Sequence, residues 1–361
     1  MRRLSRTIRI VAAVGTLALL VAACGSSSSS SNASKAGTAT SAVNIAATGK
    51  PCSGYKFALI THGDNGSFWS VVYKGAKNAA ADYGCKLTEV YGSQQQGQAQ
   101  PDDNAENAQI QNAINAKVNG IAVSDHDPAL MNATLAKANA AGIPVVLLNA
   151  GCDAADIAAS KAMTCVGQPE SLAGTQAGAR FKSQKLTNVL CVIHQSGQNL
   201  LDRCNGLAAG LGVGSTCKTG NAPSSGPACT ELILSTPNAA SNPQQAIGQV
   251  TAYLQAHKGV QAVLTLNTAI SDALVATHPA AKVATFDLDS TVETDLKNGS
   301  LDFAVDQQQY LQGYLPIVFL YLYNAHNGNA TGGGATVASG PLLVDKSNVA
   351  KVSKAIKAGE D

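Results

Sequence analysis

From Tyr55 to near its end the chain alternates short apolar runs with longer Ala-rich amphipathic segments. The apolar runs predict strands over 55–61, 86–91, 120–124, 144–149, 165–167, 188–194, 231–235, 262–267, 283–287 and 301–305, with a later one over 340–344. Segments of helical period predict helices over 68–83, 105–116, 128–141, 170–184, 200–211, 243–256, 271–277, 290–297 and 309–323. Strand–helix repeats of this length require right-handed crossovers and parallel sheets buried on both faces. The predicted class is therefore α/β.

Ten strands are too many for one ordinary open sheet, and about 310 residues exceed what one core usually holds, so two lobes are expected. The chain should cross between them near Gly167 and Gln168, again near Asp306 and Gln307, and a third time with strand 340–344, after the turn Gly332 to Gly334. These crossings divide it into an N-terminal lobe of residues 51–167 plus 307–338 and a C-terminal lobe of residues 168–306 plus 339–361. Such a three-segment hinge leaves a cleft facing the carboxyl ends of both sheets.

Ahead of this body the pattern changes. Arg2, Arg3, Arg6 and Arg9 precede an apolar stretch from Ile10 to Ala23 that is too short to span a bilayer, and Leu20-Val21-Ala22-Ala23-Cys24 has the form of a lipobox. Residues 1–23 are read as a signal peptide, with Arg2-Arg3 poorly placed for the twin-arginine route, and Cys24 as the lipidated first residue of the mature chain. Gly25 and the six serines after it open a low-complexity tether over residues 24–50. A coil of this composition reaches roughly 25–30 Å from the outer face of the plasma membrane.

A net charge of +2 with only 13% charged residues offers no basic stripe for nucleic acid. Nine cysteines less Cys24 leave eight, an even number suited to an oxidising compartment. Spacing suggests neighbour pairs: Cys52 with Cys85, Cys152 with Cys165, Cys191 with Cys204, and Cys217 with Cys229. There is no CxxC and no HxxxH or HExxH spacing, so no metal site is expected.

No catalytic motif survives inspection. Gly210, Gly212 and Gly214 follow a helix rather than joining a strand to one, and no GxSxG or P-loop is present. His194 and Ser196 sit on or beside one strand in an arrangement that does not pair a nucleophile with a base. The chain reads as a non-enzyme without a cofactor.

What remains is a set of polar and aromatic residues where strands end. Phe68 and Trp69 follow the loop His62-Gly63-Asp64-Asn65-Gly66-Ser67, and Asn149, Asn267, Asp287 and Gln307 close or follow four other strands, with Arg203 beyond a fifth. Singly, each also fits a helix cap, a loop residue or a hydrophobic staple. Jointly they fall on one rim. A ring can stack on a sugar's C–H face there, while a carboxylate, a guanidinium and amides supply the two-sided hydrogen bonding that each buried hydroxyl requires.

At these residues the chain resembles the type I periplasmic sugar-binding proteins of ABC transporters, the group that includes the ribose- and galactose-binding proteins. The likeness runs from about Tyr55 onward. It is most specific at Thr61 to Trp69, at Leu190 to His194 through Asp202-Arg203-Cys204, at Ala284-Thr285-Phe286-Asp287, and at Asp306 to Tyr314. The resemblance implies two Rossmann-like lobes and a ligand set of Asp64, Asn65, Phe68, Trp69, Asn149, Arg203, Asn267, Asp287 and Gln307. Where the ribose-binding pattern carries Asp-Arg this chain has Asn149-Ala150, and where that pattern has an asparagine ahead of the aromatics it has Gly66. With one charge fewer in the pocket, a different neutral sugar, a sugar alcohol or a cyclitol fits as well as ribose. The expected protein is a monomeric lipoprotein that closes over its ligand and hands it to an ABC permease; the alternative is a lipoprotein that presents the bound sugar to a sensor kinase.

Overall fold

The computed structural model describes residues 50–63, 66–92, 102–236 and 239–361. Its strands are β1 (Lys56–Ile60), β2 (Lys86–Val90), β3 (Gly120–Val123), β4 (Val145–Leu148), β5 (Thr164–Gly167), β6 (Asn188–Ile193), β7 (Lys218–Thr219), β8 (Ala228–Ile233), β9 (Ala262–Thr265), β10 (Lys282–Phe286), β11 (Phe303–Asp306), β12 (Thr336–Ala338) and β13 (Leu342–Asp345). They form two sheets, ordered β12-β5-β4-β3-β1-β2 and β13-β11-β10-β9-β6-β8-β7. All pairings are parallel except β13 against β11. Each sheet thus contains a doubly wound core: β1 lies between β2 and β3, and, leaving the short edge strand β7 out of the order, β6 lies likewise between β8 and β9. The crevice of such a sheet opens at the carboxyl ends of its first and third strands, where the direction of winding reverses.

Burial follows the pattern a two-faced parallel sheet demands. Every residue of β3, β4, β6 and β9 is buried, and each sheet carries one apolar core on either face. The helices that cover those faces are α1 (Ser67–Tyr83), α2 (Asp103–Asn115), α3 (Pro128–Ala140), α4 (Ala154–Ser160), α5 (Glu170–Ser183), α6 (Gln198–Leu211), α7 (Pro243–Ala256), α8 (Thr268–Val275), α9 (Ser290–Asn298), α10 (Gln309–His326) and α11 (Ser353–Ala358). Asp102, Asp127, Asn267 and Asp289 cap α2, α3, α8 and α9 by accepting backbone N–H groups. No helix among the described residues is long and apolar enough to cross a membrane.

Two helix pairs approach to backbone contact through glycine. A β-carbon on Gly174 or Gly206 would fall 2.0 Å from Arg203 O or 2.2 Å from Ser171 O, so α5 and α6 meet with almost no side chain between them. α6 carries Arg203, and this closeness is what brings it to the first turn of α5. The four disulfides Cys52–Cys85, Cys152–Cys165, Cys191–Cys204 and Cys217–Cys229 are formed. The first joins the approaches to β1 and β2, which pair in parallel from Lys56 against Lys86.

The chain passes from the first sheet to the second after β5, returns after β11 into α10, and passes again between β12 and β13. The last passage differs from the expectation. Residues 336–338 form a strand of the first sheet that no apolar run announces, and the strand expected over 340–344 starts at Leu342 and runs antiparallel. β8 lies three residues earlier at its start than the predicted 231–235, because Ala228 and Cys229 pair with Asn188 and Val189 of β6. α4, α11 and the short β7 were not predicted from the pattern.

Candidate functional site

A cavity of ≈ 120 Å³ lies between the two sheets at their carboxyl ends. Phe68, Trp69 and Asn149 line it from elements of the first sheet, Arg203, Asn267 and Asp287 from elements of the second, and Gln307 from the passage between β11 and α10. The structure therefore brings together seven of the nine residues singled out in the sequence; Asp64 and Asn65 lie outside the described residues, as do the signal peptide, Cys24 and nearly all of the tether.

On the first wall, Thr61 and His62 directly follow β1, and the indole of Trp69 folds back over Gly63. The His62 ring meets Trp69 edge-on at 4.8 Å, and Phe68 meets it likewise at 5.0 Å. Trp69 is buried and belongs to the apolar core, so it serves both as a packing residue and as a wall of the cavity. His62 Nδ1 lies 2.9 Å from Ser124 Oγ, and burial, aided by the neighbouring His126, pushes its pKa well below the usual histidine range. It is a neutral ring at physiological pH.

Asn149 and Asp287 occupy matching places in the two sheets. Each follows the fourth strand of the doubly wound order, adopts a left-handed backbone (φ 62° and 72°), and donates its N–H to the next strand, at Val166 O and Val305 O. Asn and Asp tolerate this region better than other residues with a β-carbon. The turn swings both side chains into the cavity. Asn149 Nδ2 donates to Gln312 Oε1 at 3.2 Å, and Asp287 Oδ1 accepts from Gln307 Nε2 at 2.6 Å.

Arg203 is 3% exposed and stacks over the Phe286 ring at 4.5 Å. Its Nη2 donates to Gln307 Oε1 at 2.9 Å, and its Nε and Nη2 donate to the two carboxylate oxygens of Glu170. Burial would draw its pKa down, but the charge and hydrogen bonds of Glu170 and the charge of Asp287 outweigh it and hold the guanidinium protonated. Burial pushes the Asp287 carboxyl up to about 7, with Arg203 and Gln307 opposing. Asn267 is both a cap and a cavity residue: its Oδ1 accepts from Ala269 N at 2.9 Å, and its Nδ2 has no partner among the described residues.

Two histidines escaped the selection. His62 and His194 both line the cavity, and His194 directly follows β6 as Asn149 follows β4. His194 Nδ1 is buried with no partner among the described residues, and burial with the nearby Arg203 charge pushes its pKa down to about 3. It presents a neutral imidazole to a ligand. Its strand-end position is the signal in the sequence, and the neighbouring Ser196, which gives the imidazole the look of a base, masks it. Ala239, Ala240 and Ser241 also line the cavity from a loop that carries no periodic signal. No group of His, Cys, Asp and Glu among the described residues could hold a metal ion.

Comparison with known proteins agrees with this geometry. Residues 57–327 match the family model described as periplasmic binding protein domain. No curated protein matches the chain. Among solved structures, the chain is similar to a carbohydrate transporter from Acidothermus cellulolyticus 11B in complex with myo-inositol, with 34% identity, 85% of this chain and 99% of that one covered, and a TM-score of 0.71. It also shares its fold with an ABC transporter solute-binding protein from Burkholderia graminis C4D1M in complex with D-arabinose (19% identity, 82% and 97% covered, TM-score 0.66). A third is an ABC transporter periplasmic solute-binding protein from Actinobacillus succinogenes 130z with bound D-allose (16% identity, 82% and 99% covered, TM-score 0.66). With a cavity between two parallel-sheet lobes and a family match over most of its length, this chain belongs to the periplasmic binding proteins, which bind solutes outside the cytoplasm and are not enzymes.

Proposed function

We propose that this protein captures one small neutral polyol, of the sugar or cyclitol class, by closing its lobes over it and delivers it to an ABC transporter permease. The observation that carries this reading is the composition of the cavity: an indole and a phenyl ring beside one carboxylate, one guanidinium, amides and neutral imidazoles, drawn from both sheets. With a volume of ≈ 120 Å³ the cavity has room for several waters that a small ligand's hydroxyls can replace. The myo-inositol held by the Acidothermus relative makes a cyclitol the first candidate.

Closure follows from the two-walled site. A ligand shifts a hinge equilibrium only by its difference in affinity for the two states, so contacts from both lobes are required. The lobes, residues 51–167 plus 307–338 and 168–306 plus 339–361, move about the three passages at Gln168, Gln307 and Gly340. Cys24, reached by signal-peptide cleavage, carries the lipid that keeps the receptor near its permease. Isothermal titration against myo-inositol, D-arabinose, D-allose, D-ribose and D-galactose tests the ligand class, and absence of heat with every neutral polyol removes the reading. Lipidation is tested by fractionation of wild-type and Cys24→Ala chains: the variant is expected in the soluble fraction.

A further inference from the structure

Glu170 opens α5 directly after the first passage between the sheets, and it does not border the cavity. Its carboxylate grips Arg203 in a two-pronged pair, Nε to Oε2 at 2.7 Å and Nη2 to Oε1 at 2.8 Å, with side chains 3% and 10% exposed. Gln168 Nε2 donates to the same Oε2 at 2.7 Å, and Arg203 Nη2 reaches Gln307 Oε1 at 2.9 Å. The pair is therefore tied to a residue of each of two passages between the lobes.

A guanidinium facing a ligand cavity would ordinarily invite an anion, a carboxylate or a phosphate. Here its charge is met from behind by a buried carboxylate in ideal fork geometry, and Asp287 stands 20 residues before Gln307 in the same hydrogen-bonded chain. An anionic ligand would meet a compensated cation and two carboxyl groups. Neutral hydroxyls escape that repulsion and can still accept from Arg203.

We propose that Glu170 is a positioning residue that holds Arg203 in register and cancels its charge, so that the cavity takes uncharged polyols and rejects the corresponding sugar acids and phosphate esters. This rests on the polyol-binding reading above.

The test is calorimetry of wild type, Glu170→Gln and Glu170→Asp with two matched pairs, myo-inositol against myo-inositol 1-phosphate and D-galactose against D-galacturonate. Wild type is expected to prefer the neutral member of the pair it binds by about 100-fold or more, as buried like charges cost several powers of ten in selectivity. In Glu170→Gln the neutral ligand should weaken about tenfold while the preference narrows by at least about tenfold, because the uncompensated guanidinium now attracts the anion. Glu170→Asp keeps the charge and shortens the reach; it should weaken the neutral ligand and keep the preference. If Glu170→Gln does not fold, wild type alone still tests the charge cancellation, since anionic binding as tight as neutral binding overturns it. A purely structural role would weaken both members of a pair equally in both variants. Wild type that binds the anionic member as tightly as the neutral one, an unchanged preference in Glu170→Gln, or a lost preference in Glu170→Asp overturns the proposal. No binding of any neutral polyol by wild type removes the function itself, a distinct outcome.

Discussion

Gly63 lies against the indole of Trp69 so closely that a β-carbon at position 63 would fall 1.5 Å from Nε1 and 2.0 Å from Cδ1. The glycine is required by this approach, not by its backbone angles. With His62 and Phe68 edge-on to the same ring, the indole has one orientation in which it can wall the cavity.

Gly63→Ala should therefore displace the ring and weaken ligand binding more than it weakens the fold. Overpacking of this kind costs about 1–3 kcal/mol, and here most of it should appear as affinity, roughly tenfold or more. Trp69 is the only tryptophan in the chain, so its fluorescence reports the site directly. Titration of myo-inositol into wild type should shift the emission, and the shift should shrink in Gly63→Ala and vanish in Trp69→Phe.

The buried titratable groups predict two opposite pH slopes. Burial first, opposed by Arg203 and Gln307, raises the Asp287 carboxyl from 3.8 to about 7 in the folded protein. Between those values the folded state keeps a proton that the unfolded chain has released, so this contribution is full below about 4 and is lost as pH rises through about 7. For His194, burial and then Arg203 lower the ring from 6.5 to about 3, so the unfolded chain alone binds a proton in that window. Its contribution is full above 6.5 and is lost as pH falls toward 3. Relative to wild type, Asp287→Asn should gain stability as pH rises from 4.5 to about 7, and His194→Asn should lose it; each group contributes at most about 1.4 kcal/mol per pH unit. Urea midpoints of the three proteins at pH 4.5, 6 and 8 check both signs.

How far the sequence carried this site follows from where its residues stand. Asn149, Asn267 and Asp287 were legible because each directly follows an apolar run, and strand ends converge in a doubly wound sheet whatever the details of packing. His194 has the same position, but an imidazole two residues from Ser196 also fits the pattern of a base, which hides its place among the strand-end residues. Glu170 looks like any acidic residue in the first turn of a helix; only the glycine-lined contact of α5 with α6 reveals that it meets Arg203. β12 was invisible for another reason. Thr336-Val337-Ala338 has three residues and no full period, and it becomes a strand because β5 offers it an open edge.

Cys191 and Cys204 join β6 to α6 one residue from Arg203, and both sulfurs are buried. Replacing both by alanine should cost about 3 kcal/mol, the loop-entropy value for a closure of this length. The loss should extend to the site, because the bond fixes the helix that presents Arg203. Guanidinium denaturation checks the first effect and calorimetry the second; variants of Cys52 and Cys85, which precede β1 and β2 at the end of the sheet opposite the cavity, should show the first with little of the second.

The contact of α1 with α10 gives the last prediction. α10 begins two residues after Gln307 and lies on α1, which begins at Ser67 beside Phe68 and Trp69. A β-carbon on Gly313 would fall 1.8 Å from Val72 O, and one on Gly75 would fall 2.2 Å from Tyr310 O, so backbone meets backbone on both sides of the crossing. Gly313→Ala can be accommodated only if the helices part, which moves the starts of both and with them Trp69 and Gln307. A stability loss of about 1–3 kcal/mol with weakened ligand binding is expected. Gly248 supplies the control, since it is an exposed residue of α7 with nothing within 4 Å of the added carbon. There the same substitution should stabilise by about 0.5–1 kcal/mol through helix propensity alone and leave affinity unchanged. Thermal melts and calorimetry of the two variants separate the effect of close packing from that of the glycine itself, and equal behaviour of the two would remove the helix contact as the cause.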